Sequence, residues 1–121
     1  MKALVVDDSR AMRTILRGHL QDAGFSVVEA ADGRQALDEL KKTGSLDLAL
    51  VDWNMPVMNG YDLVCTVRSQ SQYDRMAIMM VTTESEMSQV QKALNAGANE
   101  YVMKPFTPEI LREKLLLLGL K

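Results

Sequence analysis

The feature that most restricts this chain is the regular return of short apolar runs with amphipathic stretches between them. The runs are KALVV (2–6), SVVEA (26–30), LDLALV (46–51), MAIMMV (76–81) and EYVM (100–103). They begin 20 to 30 residues apart, too far for hairpins and right for a strand, a crossover helix and the next strand. Each gap carries an apolar stripe at helical spacing: Met12, Ile15, Leu16 and Leu20, then Ala36, Leu37 and Leu40, then Leu63, Val64 and Val67, then Met87, Val90, Ala93 and Leu94. Ile110, Leu111, Leu115 and Leu118 follow the last run, and Gly24, Gly44 and Gly97 close three of the stripes. The pattern predicts an α/β fold, a doubly wound five-stranded parallel sheet with five helices on its two faces. Runs one, three and four are almost continuously apolar, as strands covered on both sides must be, whereas Glu29 marks the second as an edge. Nothing remains for a second domain, so residues 1–121 are expected to form one.

With 47% hydrophobic and 25% charged residues, 121 residues bury one ordinary core. A net charge of −2 without a basic stripe argues against a nucleic-acid surface. Cys65 is the only cysteine, which rules out an internal disulfide or a cysteine metal cluster; its apolar setting reads as that of a reduced packing residue. The start MKALVVDD is too short and too acidic for a signal peptide, and LLLLGL (115–120) is far below membrane-spanning length. A soluble, cytoplasmic protein without membrane or nucleic-acid partners is expected. Most of the nine methionines read as flexible core filler.

The chemistry collects at strand ends. Asp7 and Asp8 follow the first run, Asp52 ends the third, Thr82 and Thr83 the fourth, and Lys104 the fifth. Doubly wound sheets bind ligands at the carboxyl ends of their strands, so neighbouring strands would bring these groups to one rim. Adjacent aspartates repel, the more so at a dry site. A helix N-terminus alone would accommodate them, but Asp52 and Lys104 in register make a cation the better account. Three carboxylates suit Mg²⁺, and no His and Cys set offers a zinc site. A phosphoryl group would fill what is left, touching Mg²⁺, the Lys104 ammonium and the Thr82 hydroxyl. Aspartate is a competent nucleophile for its transfer, with catalysis mostly positioning and charge neutralisation. The plainer readings are Asp52 as a turn residue before NMPVMNG, Thr83 or Thr82 as a helix cap, and Tyr101 as a half-buried strand residue. Trp53 is placed at the pocket mouth, His19 on the polar face of the first helix, and Asn59-Gly60 at the start of the third.

VVDDS, LVDWNMPVMNGYDL, MMVTTE and YVMKPFTP, in this order and spacing, resemble a response-regulator receiver domain of two-component signalling, most of all the stand-alone chemotaxis-type receivers. The resemblance covers essentially the whole chain; each motif is weak alone and the four together are specific. It implies a flavodoxin-like sheet of strand order 2-1-3-4-5 and one receiver (response regulatory) domain over 1–121 with no output domain. It implies Asp52 as phosphoacceptor, Asp8 as a direct Mg²⁺ ligand, Asp7 as a ligand mainly through water, and the Asn54 carbonyl as a further ligand. Lys104 would pair with the phosphoryl group and Thr82 would be the switch hydroxyl. Tyr101 resembles the aromatic rotamer switch, and Pro105 the proline joined to the lysine by a cis peptide.

The implied function is a phosphorylation-activated switch, with self-phosphorylation and self-dephosphorylation as its only accessory chemistry and no enzyme activity otherwise. A histidine kinase would be the phosphodonor. A face made by helix four, strand five and helix five, including Met87, Val90, Tyr101 and Lys114, would act on a separate target protein in chemotaxis, motility or a kinase relay, with the chain a monomer. Thr83 stands where the family usually has a smaller residue and is expected to restrict small phosphodonors. Asn54, Thr83 and Glu84 would tune phosphoryl lifetime, Asn54 and Glu84 by positioning an attacking water. The readings weighed against this are a receiver-like scaffold that takes no phosphate, a haloacid-dehalogenase-type phosphohydrolase and a flavodoxin-like cofactor carrier. The phosphohydrolase would need an aspartate where Asn54 stands. The carrier would need a phosphate cradle where DDSR puts two negative charges.

Overall fold

Alternation along the first strand sets the layers: Leu4 and Val6 enter one core cluster, while Ala3 and Val5 enter the other. The computed structural model describes residues 1–120, and the side chain of Glu84 lies outside the described residues. Strands β1 (Lys2–Val6), β2 (Ser26–Ala30), β3 (Leu48–Asp52), β4 (Ala77–Thr82) and β5 (Glu100–Met103) form one parallel sheet in the order β2-β1-β3-β4-β5. The helices are α1 (Arg10–Asp22), α2 (Gly33–Thr43), α3 (Gly60–Arg68), α4 (Val90–Ala96) and α5 (Pro108–Leu117). Ala36 and Leu40 of α2, Leu63, Val64 and Val67 of α3, and Ala93 of α4 pack on one face of the sheet. Leu16 and Leu20 of α1 and Leu111 and Leu115 of α5 pack on the other. The α/β class expected from the spacing and the strand order implied by the resemblance are those observed.

Side-chain caps start four helices. Ser9, Asp32, Asn59 and Thr107 accept from the backbone N–H groups of Met12, Gln35, Asp62 and Ile110 at 3.2, 2.8, 2.8 and 3.2 Å. Strands β3 and β4 begin later than the apolar runs do. Asp47, in the third run, precedes β3: its N–H donates to the Lys2 carbonyl (2.9 Å), its carbonyl accepts from the Ala77 N–H (3.1 Å) and its carboxylate from the Lys2 N–H (2.8 Å). The fourth helical stripe is also divided: Glu84–Gln89 winds as a 3-10 segment, and α-helix begins only at Val90. A short 3-10 turn at Ser71–Tyr73, unannounced by periodicity, buries Tyr73.

Both edge strands carry a guarded glutamate. On β2, Glu29 pairs with Arg13 and Arg17; on β5, Glu100 pairs with Lys114 at 3.1 Å. At the amino end of the sheet, Arg68 closes α3 by donating to the carbonyls of Gly97 (2.9 Å), Tyr73 (2.7 Å) and Met76 (2.7 Å) and to Asn99 Oδ1 (2.8 Å). At the carboxyl end, the loop between β3 and α3 puts Val57 at φ 68°, a left-handed conformation that a β-branched residue tolerates poorly. That loop ends at Gly60, where a Cβ would stand 2.3 Å from the Asp52 carbonyl oxygen, so only glycine lets α3 start this close to the strand.

Candidate functional site

The turn from β1 into α1 holds Asp7 rigidly. Its N–H donates to the Ala30 carbonyl (3.1 Å), its Oδ1 accepts from the Ser9 N–H (2.9 Å), and Arg13 donates to its carbonyl (2.7 Å). Asp7 is 1% exposed and Asp52, the last residue of β3, is 7% exposed, while Asp8 faces solvent. One carboxylate oxygen from each lies within 4.8 Å of the others. Lys104 follows β5, and its N–H donates to the Thr82 carbonyl (2.6 Å). Its Nζ reaches across the rim to Asp52 Oδ1 (3.2 Å) and Asp7 Oδ2 (3.5 Å). The peptide between Lys104 and Pro105 is cis.

One lysine does not settle this much negative charge. Burial, then Asp7, push the Asp52 carboxyl up to about 6 from 3.8, against the pull of Lys104. Burial alone would lower the Lys104 pKa, but Asp52 and Asp7 outweigh it and hold the ammonium above its usual value. The rim is short of positive charge. The ligand atoms it offers are carboxylate oxygens, from two buried residues and one reachable from solvent, which fits a hard divalent cation such as Mg²⁺ and does not fit zinc.

The other expected residues divide. Thr82 is fully buried beside the cluster, and its hydroxyl donates to the Thr83 carbonyl (3.2 Å) and Glu86 Oε1 (3.4 Å). Asn54 is exposed and its Nδ2 donates to Glu86 Oε2 at 2.6 Å. Thr83 is the N-cap residue of the 3-10 segment, and its hydroxyl pairs with Ser85 Oγ (3.0 Å). Glu84, expected to tune lifetime, has its side chain outside the described residues. Tyr101 is half-buried against the core with Lys114 Nζ 4.4 Å above its ring, and Met87 is partly exposed. Val90, placed on the partner face by the resemblance, is instead 6% exposed and packs inward with Ala93, as the apolar stripe of α4 predicts.

Trp53 also departs from expectation. It is buried in the core, 6.3 Å from the Tyr61 ring, and not at the pocket mouth. Cys65 is exposed on α3, and the half-buried His19 ring lies 6.2 Å from Phe106, not on a solvated face. His19, Met12, Ile15 and Phe106 line a groove of about 220 Å³ that runs up to Lys104 and Pro105. Glu86 was missed altogether. The Thr83-Glu84-Ser85-Glu86 order of residues (TESE) carries a capping-box spacing that could have flagged its bond to the Thr83 N–H, though not its reach to Asn54.

The family described as the response regulator receiver domain matches residues 3–116. The chain is 49% identical over 116 residues to a chemotaxis protein CheY homolog of Campylobacter jejuni, covering 95% of this chain and 89% of the relative. It is 47% identical to chemotaxis protein CheY1 of Helicobacter pylori, covering 95% and 94%. Among solved structures it is similar to chemotaxis protein CheY4 of Vibrio cholerae, with TM-score 0.88, 44% identity and 97% of each chain covered.

Proposed function

This chain belongs to the response regulator receiver family of two-component systems, and we propose that it is a phosphorylation-activated signalling switch whose phosphoacceptor is Asp52. The observation that carries the reading is the rim itself: Lys104 Nζ 3.2 Å from Asp52 and 3.5 Å from Asp7, with three carboxylate oxygens within 4.8 Å. Asp7, Asp8, Asp52 and the Asn54 carbonyl would hold Mg²⁺. When bound, the cation would supply charge neutralisation on the phosphoryl oxygens and favour the ionised form of Asp52.

In the transfer, an Asp52 carboxylate oxygen attacks phosphorus. The bond from phosphorus to the donor histidine's imidazole nitrogen breaks, and the leaving nitrogen keeps the electron pair. Lys104 moves with the charge and pairs with a phosphoryl oxygen, and the Thr82 hydroxyl donates to another. Thr83 narrows entry for small donors, and Asn54 and Glu84 hold the water that later hydrolyses the acyl phosphate. The switch then shifts the population of the loop after β4, and with it Met87, Tyr101 and Lys114. That face acts on a separate target protein, in the manner of a chemotaxis regulator, from a monomer in the cytoplasm with a histidine kinase as donor. Among the described residues, no helix is long and apolar enough to cross a membrane.

Acetyl phosphate with Mg²⁺ is expected to add one phosphoryl group by intact mass and to change the fluorescence of Trp53, the single tryptophan. Asp52→Asn is expected to lose both effects while keeping the fold. Equal adducts on the two proteins would overturn the assignment, and no adduct on either would leave the scaffold reading standing in its place.

A further inference from the structure

A capping box needs one bond from its glutamate, to the N-cap N–H. Glu86 makes that bond, accepting from the Thr83 N–H at 3.0 Å, while its own N–H donates to the Thr83 carbonyl at 3.0 Å. Its carboxylate does more. The same Oε1 receives the Thr82 hydroxyl at 3.4 Å, and Oε2 receives the Asn54 amide at 2.6 Å, a charge-assisted bond between residues 32 positions apart. One side chain thereby ties the loop after β3 to the end of β4 and pins the 3-10 segment, a geometry weaker than α-helix.

We propose that Glu86 is a positioning residue, a latch that holds the switch threonine and Asn54 in the resting state and lets go when the phosphoryl group arrives. The inference rests on Asp52 being the phosphoacceptor. A hydroxyl has a single proton to donate, shared here between the Thr83 carbonyl (3.2 Å) and Glu86 Oε1 (3.4 Å), and turning it to a phosphoryl oxygen gives up both. Phosphorylation also turns the Asp52 carboxylate into an acyl phosphate, about one further negative charge two residues before Asn54, where a carboxylate held by that amide is repelled. Both effects push the same way: the latch opens, the 3-10 segment loses its tie across the rim, and Met87 within it is free to move. The latch therefore opposes phosphorylation and couples it to the output face.

The test uses two substitutions in the whole chain. Glu86→Gln keeps the shape and a capping oxygen but removes the charge and the acceptor facing Asn54. Glu86→Ala removes everything. With acetyl phosphate and Mg²⁺, followed by Trp53 fluorescence and intact mass, Glu86→Gln is expected to phosphorylate about fivefold faster than the parent, the weight of one released hydrogen bond. Glu86→Ala is expected to be at least as fast. The gain should persist in high salt, where long-range repulsion of an anionic donor is screened. The Asn54 side-chain amide resonances should shift in unphosphorylated Glu86→Gln. A parent that phosphorylates while Glu86→Gln keeps its rate, or gains only at low salt, overturns the latch and reduces Glu86 to a cap. A parent that takes no phosphoryl group, or an Asp52→Asn protein that takes one equally, overturns the phosphoacceptor reading beneath it.

Discussion

Arg68 and Lys104 are both half-buried cations, at opposite ends of the sheet, and their surroundings are opposites. Arg68 meets neutral oxygens only, in four hydrogen bonds of 2.7 to 2.9 Å. Burial pulls its pKa below the usual value, with Asp74 opposing, and each donor it turns inward has a partner. Lys104 meets two carboxylates at 3.2 and 3.5 Å, and neither is satisfied by it. At the amino end, charge is spent on rigidity, joining α3 to the chain segments that enter β4 and β5. At the carboxyl end the charges stay in excess, and a ligand is needed to balance them. Stability and reactivity thus come from one kind of group, separated by what faces it.

Breaking the rigid end has the largest expected effect on stability. Arg68→Ala takes a donor from the Gly97 and Met76 carbonyls and leaves the Tyr73 carbonyl and Asn99 Oδ1 with one partner each, the Met76 and Ile78 N–H groups. It is expected to cost about 3 kcal/mol, with Tm lower by on the order of 10 °C in thermal unfolding. Phosphorylation of the folded fraction by acetyl phosphate should stay within about twofold of the parent. A proportional loss of phosphorylation would show that the two ends are not independent.

Relieving the reactive end should do the reverse. With its folded pKa raised to about 6 from 3.8, Asp52 binds more protons folded than unfolded between those values. Its cost is absent below about pH 4, grows as pH rises, and is complete above about pH 6. In chelator-treated protein, Asp52→Asn is therefore expected to gain about 1 to 3 kcal/mol at pH 7.5 and nothing near pH 4, by urea unfolding. A difference that does not change with pH would contradict the charge excess.

Filling the site should close that gap. Mg²⁺ at about tenfold excess over Kd is expected to stabilise the parent by roughly 1.4 kcal/mol, and Asp8→Asn to lose most of this, read as the Tm shift with and without chelator. The smallest effect is expected beside the site, where backbone strain and not charge is relieved. Val57→Asn suits φ 68° better and should gain about 0.5 to 1 kcal/mol with phosphorylation unchanged.

Much of this was legible from spacing. Parallel strands joined by helices need the intervals the chain has, and the polar residues at the ends of β1, β3, β4 and β5 converge for topological reasons alone. The rim contacts of Asp7, Asp52 and Lys104 follow from that. What escaped depends on side-chain direction or on distant partners. Val90 sits inside, as its place in the apolar stripe of the fourth helix predicts, and it was the resemblance that set it on the exposed face. Trp53, next to the reactive aspartate in sequence, points into the core because neighbouring side chains at a strand end take opposite faces. Glu86 and Arg68 act through contacts 29 to 32 residues away, which no local pattern encodes.

The guarded glutamates on the outer strands have a consequence for crowded conditions. β2 pairs only with β1 and β5 only with β4, so each offers a free row of backbone groups to any extended strand. Glu29 with its two arginines and Glu100 with its lysine set charged side chains along both margins, a feature that discourages another copy from adding a strand there. Backbone pairing between copies is thereby disfavoured at both margins of the sheet.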